Sequence, residues 1–179
     1  NNVYEVTRSS VANVVNILTG FSYTNVNSLD LVSTTPYSWY TDNTKVYINS
    51  SSTPSSNTIP LINSSNVSIT NIPSSIYFEN INFFGGKNTL EVNLTKDNNL
   101  YINNCSFQNC SSQFNGLAVV GGKEVIVYNS IAKNNSYDGF NYHIGQDGSI
   151  PTIVEIDCKA FENGEDKGRA GFKSNNGST

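Results

Sequence analysis

Six consecutive residues in the C-terminal third hold most of the side-chain types that acid–base catalysis uses. The run from Asp138 to His143 contains a carboxylate, an amide, two aromatic rings and the only His of the chain. Imidazole titrates near neutral pH and suits a general base, with the Tyr142 phenol as an alternative. Hydrolysis of a glycosidic bond instead needs two carboxyl groups about 5 to 10 Å apart, and Asp157 or Glu162 would complete such a pair with Asp138. The predicted catalytic residues are Asp138, His143 and Asp157.

The same run also has a purely structural interpretation. A lone His between aromatic residues is commonly a hydrogen-bonded structural side chain, and Asp138-Gly139 is first of all a turn signal. Both interpretations stay open at this point, so the sequence does not decide whether the chain is an enzyme. If it is one, a polysaccharide lyase or a glycoside hydrolase is expected.

Aromatic residues suggest a second kind of site, which binds sugars. Trp39 stands close to Tyr37, Tyr40 and Tyr47, and amphipathic rings form contact surfaces for ligands. A role in capping the open end of a sheet explains the same cluster. The predicted carbohydrate-binding residues are Asn141, Tyr142, Trp39 and Tyr40.

Metal and cofactor sites are not expected, with Ca²⁺ as the one open alternative. The acidic residues Asp157, Glu162, Glu165 and Asp166 offer the oxygen ligands that Ca²⁺ takes, but they lack the D-x-D-x-D-G loop. The three cysteines have no CxxC spacing. We expect them to be small buried residues and leave one disulfide open.

The composition favours an ordered all-β protein. Only 13% of the residues are charged, and 29 of the 179 residues are Asn, which favours turns over helix interiors. The net charge of −4 and the scattered basic residues argue against nucleic-acid binding. The sequence has no apolar run long enough for a membrane span.

The first 57 residues are predicted to form an N-terminal capping or entry region. Residues 11–18 carry apolar side chains at 11, 14, 15 and 18, the spacing of one helical face, so a short helix is expected there. In residues 36–48, an aromatic run and a β-branched run flank Asp42-Asn43, which predicts a β-hairpin. The boundary to the main body is placed between residues 57 and 58.

An internal repeat dominates residues 58–179. Segments 76–83, 100–107, 125–132 and 154–161 align with starts 24, 25 and 29 residues apart, a period typical of solenoids. The alignment superposes Asn80, Asn104 and Asn129 with Cys158 at one turn. It places three aromatic residues in one inward column: Phe83, Phe107 and Phe161. A second turn holds Gly85, Asn109, Asn134 and Asn163. Further apolar clusters follow at 89–92, 116–120, 139–142 and 170–172. The pattern predicts a right-handed parallel β-helix, with a β-sandwich as the alternative.

The 36–48 hairpin resembles the N-terminal segment of many pectate-lyase-like β-helix proteins. The runs 137–143, 155–158, 162–164 and 175–179 resemble β-helix proteins of phages, prophages and Gram-positive bacteria. This likeness covers about residues 30 to 179 and implies a fold more specifically than a function, because such proteins include lyases, hydrolases, epimerases and tail spikes. It also implies further coils beyond Thr179, and a chain that starts at Asn1 without Met is expected to be a processed or trimmed piece.

The resemblance implies a tail-fibre or spike-type protein that binds a host or cell-wall polysaccharide, in the virion or at the cell surface. Isolated solenoids expose sheet edges and faces, so a homotrimer or a larger virion assembly is expected. A secreted or virion-borne polysaccharide-degrading enzyme and a purely structural surface solenoid are the two alternatives.

Overall fold

The computed structural model describes residues 2–16, 18–19, 21–55, 58–62, 67–70, 74–110, 113–164 and 172–174. Its contacts divide the chain into two compact units, Asn1–Ser64 and Ser65–Thr179. The division falls seven residues after the predicted boundary, because the strand at 58–62 pairs inside the first unit.

The N-terminal unit contains two sheets and one short helix. A four-stranded sheet has the order β1-β6-β5-β4 and a three-stranded sheet has the order β3-β2-β7. The elements are β1 (Asn2–Thr7), β2 (Val11–Asn16), β3 (Phe21–Ser22), β4 (Thr24–Asn25), α1 (Leu29–Thr34), β5 (Ser38–Thr41), β6 (Lys45–Ser50) and β7 (Thr58–Ile62). Its core is built around Trp39, which packs with Val11, Val14, Tyr23, Val46 and Ile48.

The predicted hairpin is confirmed, and the predicted helix at 11–18 is wrong. β5 and β6 pair antiparallel around the Asp42 turn, with Tyr40 opposite Tyr47. Residues 11–16 form strand β2, in which the register shifts between Val11 and Asn13. This bulge inserts a residue, so that buried Val11 and Val14 are three apart as they would be in a helix. The β-branched valines favour the strand.

The second unit is a parallel β-solenoid of about four turns. Its three sheets run along the stack, and we name them sheets I, II and III. Sheet I holds β9 (Ile76–Glu79), β12 (Asn99–Asn103), β15 (Glu124–Tyr128) and β18 (Thr152–Ile156); sheet II holds β10 (Asn82–Phe84), β13 (Ser106–Gln108), β16 (Ile131–Lys133) and β19 (Lys159–Phe161); sheet III holds β8 (Val67–Ile69), β11 (Leu90–Asn93), β14 (Leu117–Val120), β17 (Phe140–His143) and β20 (Phe172–Ser174). The predicted β-helix is confirmed, and its parallel pairing excludes a sandwich for this unit.

The solenoid core consists of columns of apolar side chains that stack from coil to coil. Phe83 and Phe107 lie with ring centroids 5.4 Å apart and an interplanar angle of 4°. Sheet III contributes Leu90, Leu117 and Phe140 in register, all fully buried. Alternation along each strand places one residue inside and the next on the outer face. This pleat decides which side chains each sheet presents to solvent.

The corner between sheets I and II is formed by residues with left-handed backbone. Asn80, Asn104, Asn129 and Asp157 occupy equivalent positions with φ between +46° and +58°. Asn and Asp tolerate this conformation better than other non-glycine residues. The amide of Asn104 donates to Asn80 at 2.6 Å, which links neighbouring coils. The predicted Asn ladder is thus confirmed for its first three members.

The fourth repeat differs from the alignment by one residue. Val125 pairs with Ile153 and not with Val154, so the start-to-start interval is 28 residues. Asp157, and not Cys158, therefore follows Asn129 in the corner column. Phe161 pairs with Lys133 and faces outward, while Ala132 and Ala160 continue the inward column of Phe107.

The second turn shows the same shift. Gly85, Asn109 and Asn134 have positive φ as the alignment predicts, and Glu162 takes the fourth place. Asn163 instead lies buried and accepts from the backbone and side-chain amides of Asn135 at 3.1 and 3.0 Å. These contacts satisfy polar groups inside the turn.

All three cysteines are free thiols. Cys105 and Cys158 precede strands that are two positions apart in sheet II, since β16 lies between β13 and β19. Two strand spacings are about 9.6 Å, too far for a disulfide.

Candidate functional site

A row of outward side chains crosses the end of sheet III and includes the predicted residue His143. Asn93 pairs with Val120, and Val120 pairs with His143. Thr70 directly follows β8 and occupies the same position one coil earlier. Adjacent strands are about 4.8 Å apart, so the four positions span about 14 Å along the stack. His143 is half-buried at one end of this row.

A groove lies along the first three positions of this row, Thr70, Asn93 and Val120. Its walls and floor come from Thr70, Asn93, Leu94, Thr95, Val120, Gln146 and Asp147, and its volume is about 430 Å³. That volume lies in the range of small-ligand sites in proteins. We call this feature the sheet III groove.

A turn at residues 145–149 forms one wall of the groove and is fixed by hydrogen bonds. Asp147 accepts from the backbone N of Lys96 at 2.9 Å, two coils earlier, and from the hydroxyl of Ser149 at 2.6 Å. The Ser149 hydroxyl also accepts from the backbone N of Gly122 at 3.1 Å. These hydrogen bonds therefore fix the wall against the corners at Lys96 and at Gly122.

These hydrogen bonds determine the charge state of Asp147. The hydroxyl and the backbone N of Ser149, together with the backbone N of Lys96, lower the pKa of the Asp147 carboxyl. The group is ionised at neutral pH, which makes it a poor proton donor there. Its chemistry in the groove is that of a hydrogen-bond acceptor.

Asp138 and Asn141 form part of the corner before sheet III. Asp138 is 1% exposed, and its Oδ2 accepts from the Asn141 amide at 2.8 Å. Its backbone N donates to Asn115, whose own backbone N donates to Asn88 in the preceding coil. Asn88 and Asn115 occupy equivalent positions, and each side chain thus accepts a hydrogen bond from the backbone N of the equivalent residue in the next coil. Asn141 is 4% exposed, so its buried amide serves this network.

Tyr142 lies inside the solenoid, on the opposite face of β17 from the groove. Its hydroxyl donates to the Glu155 carboxylate at 2.5 Å. Burial and the neighbouring Glu155 raise the pKa of Tyr142 well above its usual value. An interior ring does not offer the stacking surface that the carbohydrate-binding prediction requires. Glu155 has no sequence signal for this contact, because only the register of the fourth repeat turns its side chain toward Tyr142.

The second predicted carboxylate, Asp157, lies at a different corner from Asp138. Asp157 connects β18 of sheet I to β19 of sheet II, whereas Asp138 directly precedes β17 of sheet III. Glu162 belongs to the turn after β19. The catalytic roles of Asp138, His143 and Asp157 remain predictions.

The two predicted aromatic residues of the N-terminal unit have different environments. Trp39 is 3% exposed in the core, where its ring is covered by apolar neighbours. Tyr40 is half-buried and stacks on Tyr47, with ring centroids 6.3 Å apart and an interplanar angle of 16°. Tyr40 therefore offers a partly accessible ring, whereas Trp39 has the environment of a core residue.

Within the described ranges, no group of three His, Cys, Asp or Glu side chains is placed to hold a metal ion. Glu165 and Asp166 of the predicted acidic cluster lie outside the described residues, so the Ca²⁺ alternative stays a prediction. The described part of the chain has no helix long and apolar enough to cross a membrane, as the sequence predicted.

No family model, no curated protein and no solved structure matches this chain significantly.

Proposed function

We propose that this chain is a receptor-binding β-helix of the tail-fibre or spike type, located in a virion or at a cell surface. It engages a host or cell-wall polysaccharide, and the sheet III groove is the contact site. The observation that carries the proposal is the row of Thr70, Asn93, Val120 and His143 beside the fixed wall at Asp147. The virion setting is supported by the resemblance to phage and prophage β-helix proteins.

The side chains of the groove match the chemistry of a sugar chain. Thr70 and Thr95 bring hydroxyls, Asn93 and Gln146 bring amides, and Asp147 brings an ionised acceptor. These groups donate and accept hydrogen bonds in the way that sugar hydroxyls require. Val120 and Leu94 supply apolar surface between them. A linear ligand along the stack would contact equivalent positions of successive coils.

Binding is favoured over cleavage by the state of the carboxylates. Among the described residues that line the groove, Asp147 is the one carboxylate, and its oxygens accept from Lys96 and Ser149. Glycoside hydrolysis uses two carboxyl groups, one of which must donate a proton. Asp138 is buried beside Asn141 and stabilises the corner. Polysaccharide degradation and a purely structural role are the alternatives that the test distinguishes.

The test is a binding panel of host cell-surface and cell-wall polysaccharides with the full chain. Asn93→Ala and Gln146→Ala each remove hydrogen bonds worth about 1 kcal/mol, so we expect about fivefold weaker binding of the polysaccharide that the wild type selects. Asn103→Ala, an outward amide on sheet I, is the matched control and should bind as the wild type does. Equal affinity of the groove variants and the control would contradict the proposed site. A wild type that binds no polysaccharide would leave the structural alternative.

A further inference from the structure

Sheets I and II present opposite charges on their outer faces. The charged outward strand residues of sheet I are Glu79 and Glu124, and those of sheet II are Lys133 and Lys159. All four residues are described, and each sheet carries one sign only. Within the described part of the chain, none of the four forms a salt bridge, and the ion pair found there joins Lys45 and Glu5 in the N-terminal unit. The solenoid thus has an acidic face and a basic face.

Both faces also expose apolar side chains in the same two coils. On sheet I, Tyr128 is paired with Ile156 in the next strand, and these side chains are 44% and 46% exposed. On sheet II, Ile131 and Phe161 are 36% and 43% exposed. Contiguous exposed apolar surface on a protein commonly marks an interaction site. We call these residues, together with Val154, the apolar strip.

One charge of each face lies at the same height along the solenoid. Glu124 begins β15 and Lys133 ends β16, so both belong to the third coil. If two copies stand side by side with parallel axes, sheet I of one meets sheet II of the next. Glu124 then faces Lys133 across the contact, and the strip residues of sheet I in one copy cover those of sheet II in its neighbour.

We propose that the partner of these faces is a second copy of this chain, in a contact between the acidic sheet I and the basic sheet II. The contact is heterologous, because each copy uses two different faces, and such contacts build rings when the rotation closes. Charge complementarity sets the register, and burial of the strip supplies the affinity. Sheet III takes no part, which leaves its groove open. The inference does not depend on the proposed function.

Sedimentation velocity of the full chain across a concentration series tests the contact. We expect a species heavier than the 19.5 kDa monomer, weakened about tenfold or more in Glu124→Lys and in Lys133→Glu, because each substitution sets like charges against each other. The double variant Glu124→Lys/Lys133→Glu should regain association, since its charges are complementary again. Lys96→Glu makes the same charge change at an exposed corner outside both sheets and should associate as the wild type does.

Each outcome decides for or against the contact. A wild type that stays monomeric at all concentrations, single variants that associate normally, or a double variant that does not recover would each overturn it. Ile156→Ser is a second, charge-neutral variant and should also weaken association. Thermal unfolding of every variant checks that the fold is retained, as expected for outward side chains.

Discussion

At the scale of single residues, the left-handed corner positions determine where the strands end. Asn80, Asn104, Asn129 and Asp157 adopt a backbone conformation that costs most residues about 1 to 2 kcal/mol. Their side chains are polar and outside the core, so their main contribution is to the backbone. Mutations can therefore separate the effect of losing the side chain from the effect of removing the unfavourable left-handed backbone conformation.

Asn104→Ala should destabilise the protein by about 1 kcal/mol, because Ala lacks the local hydrogen bonds that help Asn adopt φ of +50°. Asn104→Gly should cost much less, since Gly adopts this conformation freely. Urea denaturation of both variants measures the difference. Equal losses of stability would show that the side-chain ladder, and not the backbone, is what Asn104 provides.

Glu155 is a second residue for which an effect is measurable, here on how stability depends on pH. Its side chain lies in an inward column of the solenoid, where Glu155 pairs with Val127. Burial raises the pKa of the Glu155 carboxyl, and the hydrogen bond from Tyr142 lowers it in part. A raised pKa means that the folded protein holds the proton more tightly than the unfolded chain. Stability contributed by the protonated form is therefore lost as the pH rises above the ordinary glutamate pKa of 4.5.

Glu155→Gln should remove this dependence, since its neutral amide oxygen still accepts from Tyr142. We expect the variant to gain in melting temperature over the wild type as the pH is raised from 4.5 to 8. Glu79→Gln, on the outer face of sheet I, is the control for loss of a carboxylate. A melting-temperature difference that does not change with pH would refute the buried position of the Glu155 carboxyl.

At the scale of the elements, close backbone approach holds the wall of the sheet III groove. A Cβ on Gly121 would lie 2.7 Å from the Ser149 hydroxyl oxygen and 2.8 Å from the Leu94 carbonyl oxygen. The wall turn at 145–149 can pack on this corner only because Gly121 has no side chain. Gly148 has a similar positive φ, but nothing lies within 4 Å of its Cβ position.

This contrast supplies a matched pair of variants. Gly148→Ala should cost about 1 kcal/mol, from backbone strain alone. Gly121→Ala should cost clearly more and weaken polysaccharide binding, since the Leu94 backbone and the wall must move. Chemical denaturation and the binding panel measure the two effects. The packing of the wall turn would be disproved if both substitutions cost the same.

The register of the strands was predictable from sequence for three coils and not for the fourth. Apolar alternation aligned Ile76, Leu100 and Val125 correctly. In β18, alternation alone favours Val154 and Ile156 as the inward pair, whereas the structure turns Glu155 inward. Corner geometry decides the register here, because Asp157 tolerates left-handed backbone better than Cys158 does. The cost of an inward Glu155 is offset by Tyr142.

The candidate site was predictable only in part, because strand pairing, and not closeness in sequence, brings its residues together. His143 stood out as the only His, but Asn93 and Val120 carry no motif and became its neighbours only through strand pairing. Asp147 lies in a long turn without a repeat equivalent, so its contact with Lys96 had no sequence signal. Among the predicted aromatic residues, Trp39 lies in the core of the N-terminal unit and Tyr142 in the solenoid core, because a large ring serves packing as well as it serves ligand binding.

At the scale of the whole molecule, the three sheets of the solenoid have different surfaces and therefore different proposed roles. Sheet III presents a polar groove, whereas sheets I and II present opposite charges around exposed apolar residues. In the proposed assembly, sheet III contacts the ligand, and sheets I and II contact neighbouring copies. Repetition along the stack makes each surface long and regular.

The central claim is that the chain binds a polysaccharide without cleaving it. The most direct measurement incubates the full chain with the polysaccharide it selects and follows bound protein together with released reducing or unsaturated ends. We predict saturable binding that Asn93→Ala weakens, with no new ends above the protein-free control. Release of ends that disappears in Asp138→Ala or His143→Ala would instead establish an enzyme.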